Sequence, residues 1–435
     1  MLNQLLEKQF RLKENNTSIR QELVAGITTF FTMAYVLATI PSMLEPIGYG
    51  KATILTVMVL LIAATTIAMG LYTNRPFSLA PGLGSVGIVA SFVVNDGVDP
   101  AVASSVILLS GILFVIVSFL GLRDAVVKAI PKSLKYAISA GVGLFVALLG
   151  AKQVGLIVAN GKKNCLVFGD LASPAVIVTV IGFIIIMILK ARKVKGDLFI
   201  GIILTTLIGI PFGLTKLPSS PFSMPASISS MALRIDILSA LKIAYIPILI
   251  SLFVPDFFST VGTVLGVGGE AGYLDKDGNL PGIDRCFKVD AMATCIGGLF
   301  GMPNITTYME SSAGVAAGGR TGLTVIFTSV MFLLSMFFAP LALMIPKAAT
   351  SAALLYIGVH MLNNMRHIDY TDLAEYFPAL LCVTFTLFAN NIANGICVAI
   401  PAYVILHIAQ GKARKISSAM YIMTVVCILY FATII

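Results

Sequence analysis

"PNITTYMESSAGVAAGGRTG", residues 303–322, carries one acid, Glu310, among small residues, and it lies between two long apolar stretches. A helix needs about 20 apolar residues to cross the hydrocarbon core, so this segment is too short to span on its own. Its entry, Pro-Asn-Ile-Thr-Thr, reads as extended backbone ahead of a small-residue helix. Extended backbone cannot satisfy itself in lipid and is tolerated only where it faces protein or a water-filled cavity. The stretch therefore reads as an interrupted half-helix inside a membrane protein, with a carboxylate at its start.

The whole chain agrees with that local reading. Of its 435 residues, 58% are hydrophobic and 11% are charged, whereas soluble domains carry about a quarter charged residues. The 38 glycines suit packed transmembrane helices, where small residues let backbones approach. The net charge of +9 is not a nucleic-acid stripe, because the basic residues cluster in short loops between apolar segments, as the positive-inside rule requires. No nucleic-acid partner is expected. The first twenty residues are polar and lack the apolar centre of a secretory signal, so the first span is expected to direct insertion. The six cysteines are scattered without metal or disulfide spacing and read as small apolar fillers.

Candidate spans fall at 22–44, 52–73, 78–94, 101–122, 134–158, 173–190, 197–214, 240–268, 286–301, 304–317, 321–345, 349–365, 376–389 and 391–410, fourteen in all, with a further apolar stretch at 418–434. With the N-terminus inside, "RDAVVKAIPKSLK" (123–135), "KARKVK" (190–195) and "KARK" (412–415) all fall on the inner side. Reading 376–410 as one long helix would put the last of these outside. Two short spans broken at Asn390–Asn391 are therefore expected. The third and tenth segments, "SLAPGLGSVGIV" (78–89) and "ITTYMESSAGVA" (305–316), both pass from extended backbone into a small-residue helix. They stand seven spans apart, and an odd offset means opposite orientation, hence a seven-plus-seven inverted repeat. Paired interrupted segments of this kind point to a transporter's substrate site. The expected organisation is an inner N-terminal segment (1–21), a first repeat (22–214), an outer loop (215–239), a second repeat (240–410) and a basic loop with a terminal apolar helix (411–435).

Within this frame the substrate-binding candidates are Glu310, Asp256, Ser259, Thr263, Met309 and Ser85. A mid-membrane charge costs roughly 2.5–3.5 kcal/mol on insertion scales, so Glu310 needs a reason to be there. A carboxylate can accept two adjacent N–H bonds from a planar ligand, and the N–H groups at the start of its helix can hold it in place. Pairing with Arg320 is disfavoured by ten residues of helix, about 15 Å. In the eighth span Asp256, Ser259 and Thr263 are spaced to share one helical face. Phe257 and Phe258 offer an aromatic wall, although phenylalanine in a span commonly serves packing. Asp290 and Lys288 read equally well as a structural ion pair or as a functional acid and its neighbour. His360, His367 and His407 are scattered singly, and no nucleotide loop, zinc motif or dinucleotide fingerprint is found. No cofactor and no enzymatic activity are expected.

Six stretches carry a family resemblance: "ELVAGITTFFTMAYVLATIPSML" (22–44), "LAPGLG" (79–84), "TVGTVLGV" (260–267), "DKDGNLPGIDR" (275–285), "TTYMESSAGVAAGGRTGLT" (306–324) and "NNIANGI" (390–396). In that order the chain resembles the AzgA-like purine permeases, a branch of the nucleobase–ascorbate (xanthine/uracil) permease superfamily. The resemblance implies an all-α polytopic protein of core and gate domains with half-helices in segments 3 and 10. It also implies a site between those segments, and uptake of adenine, guanine or hypoxanthine with protons. By position, Glu310 is similar to the family's base-binding glutamate, and Asp256 to the first acid of a motif that usually reads Asp-Leu-Phe-Asp-Thr. Here the motif is "DFFST", with Ser259 in place of the second acid, and "APGLGSVG" has Val86 where the family usually has asparagine. Each change removes one hydrogen-bonding handle, which shifts discrimination among planar ligands.

The competing readings are a same-fold carrier for another planar heterocycle or a small anion, a channel, and a membrane enzyme. Glu310 would repel an anion; a channel would want a ring of repeated ligands; an enzyme would want a catalytic pair or metal cluster. A multi-pass protein of the cell (inner) membrane, compatible with a homodimer, is the expectation that remains.

Overall fold

The computed structural model describes residues 2–94, 96–120, 131–160, 165–194, 196–242, 245–275, 280–388 and 392–432. The chain is mostly helical. An N-terminal helix, α1 (Leu2–Phe10), precedes α2 (Ile19–Met33), α3 (Val36–Leu44) and α4 (Lys51–Thr73). A short strand, β1 (Leu79–Pro81), leads into α5 (Leu83–Val94), followed by α6 (Pro100–Phe119) and α7 (Lys132–Gln153). Strands β2 (Ile157–Asn160) and β3 (Cys165–Phe168) form a hairpin ahead of α8 (Pro174–Ala191) and α9 (Asp197–Ile208).

The second half holds α10 (Ile237–Ala240), α11 (Ile246–Glu270) and α12 (Ile283–Leu299). Then come β4 (Ile305–Thr307), α13 (Ser311–Ala316), α14 (Gly322–Ser335), α15 (Ala339–Leu343), α16 (Lys347–Met361), α17 (Leu373–Phe388), α18 (Ile392–Ala409) and α19 (Ser418–Ala432). Local sequence explains several starts. Asp99 and Ser173 each cap the next helix with a side-chain oxygen, and a proline follows at the first helical position, where no amide hydrogen is needed.

Among the described residues, seven helical stretches are long and apolar enough to cross a membrane: Ile19–Ile47, Lys51–Thr73, Pro100–Phe119, Lys132–Gln153, Pro174–Ala191, Ser251–Glu270 and Gly322–Leu343. Shorter apolar helices occur at Leu83–Val94, Asp197–Ile208, Leu373–Phe388 and Asn394–Ala409. This is a multi-pass membrane protein. The stretch expected to be broken near residue 390 turns back on itself: Lys412 Nζ lies 2.8 Å from Asp372 Oδ2, so the far ends of α17 and α18 meet. Asn390 and Asn391 themselves lie outside the described residues.

Packing sorts most helices into two groups. In one, α2, α4, α6, α12 and α14 pack on one another; in the other, α7, α8, α9, α16, α17 and α18 do. The helix α11 touches members of both. In the first group, α4 and α14 approach closely because glycine meets glycine. A Cβ placed on Gly322 would lie 2.0 Å from the Gly70 carbonyl oxygen, so α4 and α14 cross backbone to backbone.

The two interrupted segments meet in a small antiparallel sheet. Leu79 pairs with Thr307, Ala80 with Thr306 and Pro81 with Ile305. Pairing extends beyond the strands, from the Gly82 amide to the Asn304 carbonyl (2.9 Å) and from the Tyr308 amide to the Ser78 carbonyl (2.9 Å). Both backbone groups of Leu79 are also satisfied by Thr66 Oγ1, at 2.9 and 3.2 Å. The extended entries are thus held by each other and by α4, and because the strands are antiparallel the chain enters α5 and α13 from opposite directions.

Two features differ from a simple reading of spans. The first apolar stretch is broken at Ala34–Tyr35, where bonds from Leu37 to Ala34 and from Ala38 to Tyr35 tighten the chain one turn before Pro41. The connection after α7 forms the β2–β3 hairpin rather than an irregular loop.

Candidate functional site

Glu310 ends the β4 entry and caps α13 with helical dihedrals, and its carboxylate makes no capping bond to the amides that follow it in the helix. Oε1 instead accepts the hydroxyl of Tyr35 at 2.6 Å, from the break between α2 and α3. The backbone of Glu310 is held by Ala313, whose amide donates to its carbonyl at 3.0 Å. Thr32 Oγ1 lies 3.4 Å from the same carbonyl. The side chain is half-buried, and its neighbour Met309 is 51% exposed, so the acid sits at an accessible edge of the packed group. Arg320 does not pair with it. Its Nη1 donates to the Val315 and Gly319 carbonyls, both at 2.7 Å, and closes the end of α13.

Met309 also locates the opposite wall. A Cβ on Gly266 would lie 3.3 Å from its Cε and 3.6 Å from its sulfur, so α11 passes beside the residue that precedes Glu310. Ser259, Gly262 and Gly266 are exposed on α11 and spaced three and four apart, forming an open stripe of small residues. Ser259 therefore faces open space.

Asp256 and Thr263 do not share that exposure; both are buried. Asp256 Oδ2 accepts from Asn304 Nδ2 (3.0 Å) and Thr294 Oγ1 (3.1 Å), tying α11 to α12 and to the residue just before β4. The same Asn304 amide donates to the Leu252 carbonyl at 3.1 Å. Asp290 takes part in a parallel arrangement. Thr260 donates to its Oδ2 at 2.7 Å and stands 2.8 Å from the Thr306 hydroxyl of β4. Its neighbour Lys288 goes the other way, with its ammonium 5.1 Å from the Phe119 ring. Ser85 is buried in the first turn of α5 next to Gly82, in the packed corner after β1. Phe257 is fully buried and packs against Phe114 and Phe253, which is core packing rather than a ligand wall. The Phe258 side chain lies outside the described residues.

Two residues escaped the sequence reading. Tyr35 was visible only as a polar hydroxyl in mid-span. Glu22, wholly buried, accepts the amides of Arg320 (2.9 Å), Thr321 (3.3 Å) and Thr324 (3.1 Å) and the hydroxyls of Thr17 (2.8 Å) and Thr324. It caps the first turn of α14, a structural role. Cys286, Cys295, Cys382, Cys397 and Cys427 form no disulfide. Among the described residues no group of His, Cys, Asp and Glu could hold a metal ion.

A many-helix membrane body, two extended entries crossing inside it, and one accessible carboxylate at that crossing define a membrane carrier. Residues 20–398 match the Permease family (the xanthine/uracil permeases), and the chain belongs to it. It is 36% identical to the guanine/hypoxanthine permease PbuO of Bacillus subtilis, over 94% of this chain and 96% of that one. It is 33% identical to the adenine permease AdeQ of Escherichia coli, over 95% and 93%. In fold it is similar to the transmembrane domain of the cyanobacterial bicarbonate transporter BicA, with TM-score 0.65 and 17% identity over 85% of this chain and 96% of that one. These relatives are permeases and transporters, not enzymes.

Proposed function

We propose that this chain is a secondary active transporter that takes up a purine nucleobase, hypoxanthine, guanine or adenine, by proton symport and alternating access. The observation that carries the substrate class is the Glu310 carboxylate, held on one oxygen by Tyr35 and partly buried beside the exposed Met309. A carboxylate offers about four lone-pair positions, and adjacent ring N–H groups of a flat base match two of them in one plane. The Ser259–Gly262–Gly266 stripe supplies a slot without side-chain bulk on the facing helix. The names of the permease relatives support the same class of substrate.

On this reading the two packed groups of helices act as core and gate, fourteen segments form a seven-plus-seven inverted repeat, and α5 and α13 are its paired half-helices. Asp256 and Asp290, each bonded to the β4 entry or its neighbours, are the groups through which protons would act on the site. Movement of the core past the gate would expose the site alternately to each side. A small anion is disfavoured as substrate because Glu310 would face it with like charge.

The test is equilibrium binding of hypoxanthine, guanine, adenine, uracil and bicarbonate to purified protein, beside Glu310→Gln. Binding of one or more purines, lost in the variant, is the expected result. Binding of none, or indifference to the substitution, would leave the chain with the family's fold and a different cargo.

A further inference from the structure

Away from the candidate site, α4, α6 and α12 enclose an open groove of about 630 Å³. Its floor and walls are apolar. Ala64 and Ala68 on α4 leave the depth, and Leu71, Met292 and Phe119, between 47% and 65% exposed, form its sides. Thr65, the polar residue of the floor, turns its hydroxyl back to the Leu61 carbonyl at 2.7 Å.

One end is different. Lys288 lines the groove there with its ammonium 5.1 Å from the Phe119 ring. Arg285, one turn earlier on α12, sits 5.9 Å from the ring of Tyr72, another lining residue. Among the described residues neither cation is within ion-pair distance of an acid: Asp290 bonds Thr260 on another face, and Asp284 is exposed on the first turn. On the orientation set by the basic loops, Tyr72, Phe119 and the start of α12 are all inner ends of their helices.

We infer that this groove binds an anionic phospholipid of the inner leaflet, with its phosphate on Lys288 and Arg285 and one acyl chain lying along Ala68, Ala64 and Met292. The geometry fits the molecule. From Lys288 to Ile296 is eight residues, about 12 Å along the helix, which matches the inner-leaflet half of a hydrocarbon core about 30 Å thick. Basic groups at the cytoplasmic end of a cleft between transmembrane helices recognise lipid headgroups, and their long stems lie on apolar surface while the charge reaches the interface. A soluble phosphate would find the cations but leave the apolar length unfilled. A second copy of the chain would have to bury both cations against its own surface.

The chain contains no tryptophan, so Tyr72→Trp or Phe119→Trp places a lone fluorophore in the groove. Each full-length variant is reconstituted in phosphatidylcholine vesicles and titrated with phosphatidylglycerol or phosphatidylcholine brominated on the acyl chain. The expected result is quenching by the brominated phosphatidylglycerol at about tenfold lower mole fraction, a preference in keeping with two interfacial cations. Adding Lys288→Gln and Arg285→Gln should erase that preference while quenching by phosphatidylcholine persists, which shows the groove still formed and open. Equal quenching by the two lipids in the parent variant would overturn the inference. Absence of quenching by either would do so too, placing protein over the groove, and so would relief of quenching by inorganic phosphate, which would make it an ion site.

Discussion

Glu310 and Glu22 are acids of one chemical kind in apolar surroundings, and their partners separate them. Glu22 is saturated by three amides and two hydroxyls, so its charge is consumed in holding α14 to α2. Glu310 has the Tyr35 hydroxyl on one oxygen and a half-open setting. Hydrogen bonds to a charged group are worth about 1.5–3 kcal/mol each, so Glu310→Gln is expected to weaken purine binding by at least tenfold, and by more than a hundredfold if both of its ligand bonds fail. Tyr35→Phe leaves the acid in place but unsteered; a loss of about tenfold, with the protein's thermal midpoint unchanged, is expected by titration calorimetry and scanning fluorimetry. Glu310 was legible in the sequence because a lone acid among small residues has no local partner to explain it. Tyr35 was not, since the two residues stand 275 apart in the chain and meet only through the fold. Asp256 was legible as an acid in mid-span, but the turn of its side chain toward Asn304 and Thr294 is a fact of packing that spacing on one helix does not contain.

Among the elements, the α2–α14–α4 junction depends on one cap and one glycine crossing. Glu22→Gln removes the charge from five hydrogen bonds at a helix N-terminus and should cost about 1.5–3 kcal/mol, while Gly322→Ala drives a methyl into the Gly70 carbonyl and should cost about 1–3 kcal/mol by overpacking. Both should appear as a thermal midpoint lowered by several degrees, and a Glu22→Gln midpoint equal to the parent's would show that the cap is dispensable. At the α17–α18 hairpin, the Lys412 ammonium, then Gln410 and the Ala374 amide, hold the Asp372 carboxyl well below the usual carboxylate range. A depressed carboxyl contributes fully above its unfolded value near 3.9 and loses its contribution only as pH falls through the depressed folded value. The pair should therefore be indifferent to pH across the neutral range and sensitive to salt, since it is partly exposed. The hairpin itself was legible from the basic loop "KARK", which forces an even number of crossings before it. The β2–β3 hairpin and the break at Tyr35 were not. Four-residue strands are too short to carry a clear periodicity, and the 22–44 stretch is apolar on both sides of the bend.

Over the whole molecule, the proposed proton coupling would act through the crossing of β1 and β4. Asp256 holds Asn304, whose carbonyl bonds Gly82 at the entry to α5, and Asp290 holds Thr260, which meets Thr306 inside β4. Both acids thus bear on the strand that ends three residues before Glu310. Adding a proton to Asp256 removes the charge from the carboxylate whose Oδ2 accepts from both Asn304 and Thr294, which weakens its hold on them and on the β4 entry. If this is the coupling element, neutralising it should separate transport from its driving force. In proteoliposomes, the parent protein should accumulate labelled hypoxanthine when the outside is made acid. Asp256→Asn, whose amide still fits the Asn304 and Thr294 contacts, should keep exchange of label at equal pH while losing at least tenfold of the gradient-driven accumulation. Equal loss of exchange and accumulation would make Asp256 a structural acid of the α11–α12 junction. Undiminished accumulation would move the coupling role to Asp290, and the same assay on Asp290→Asn would then decide between that acid and Glu310 itself.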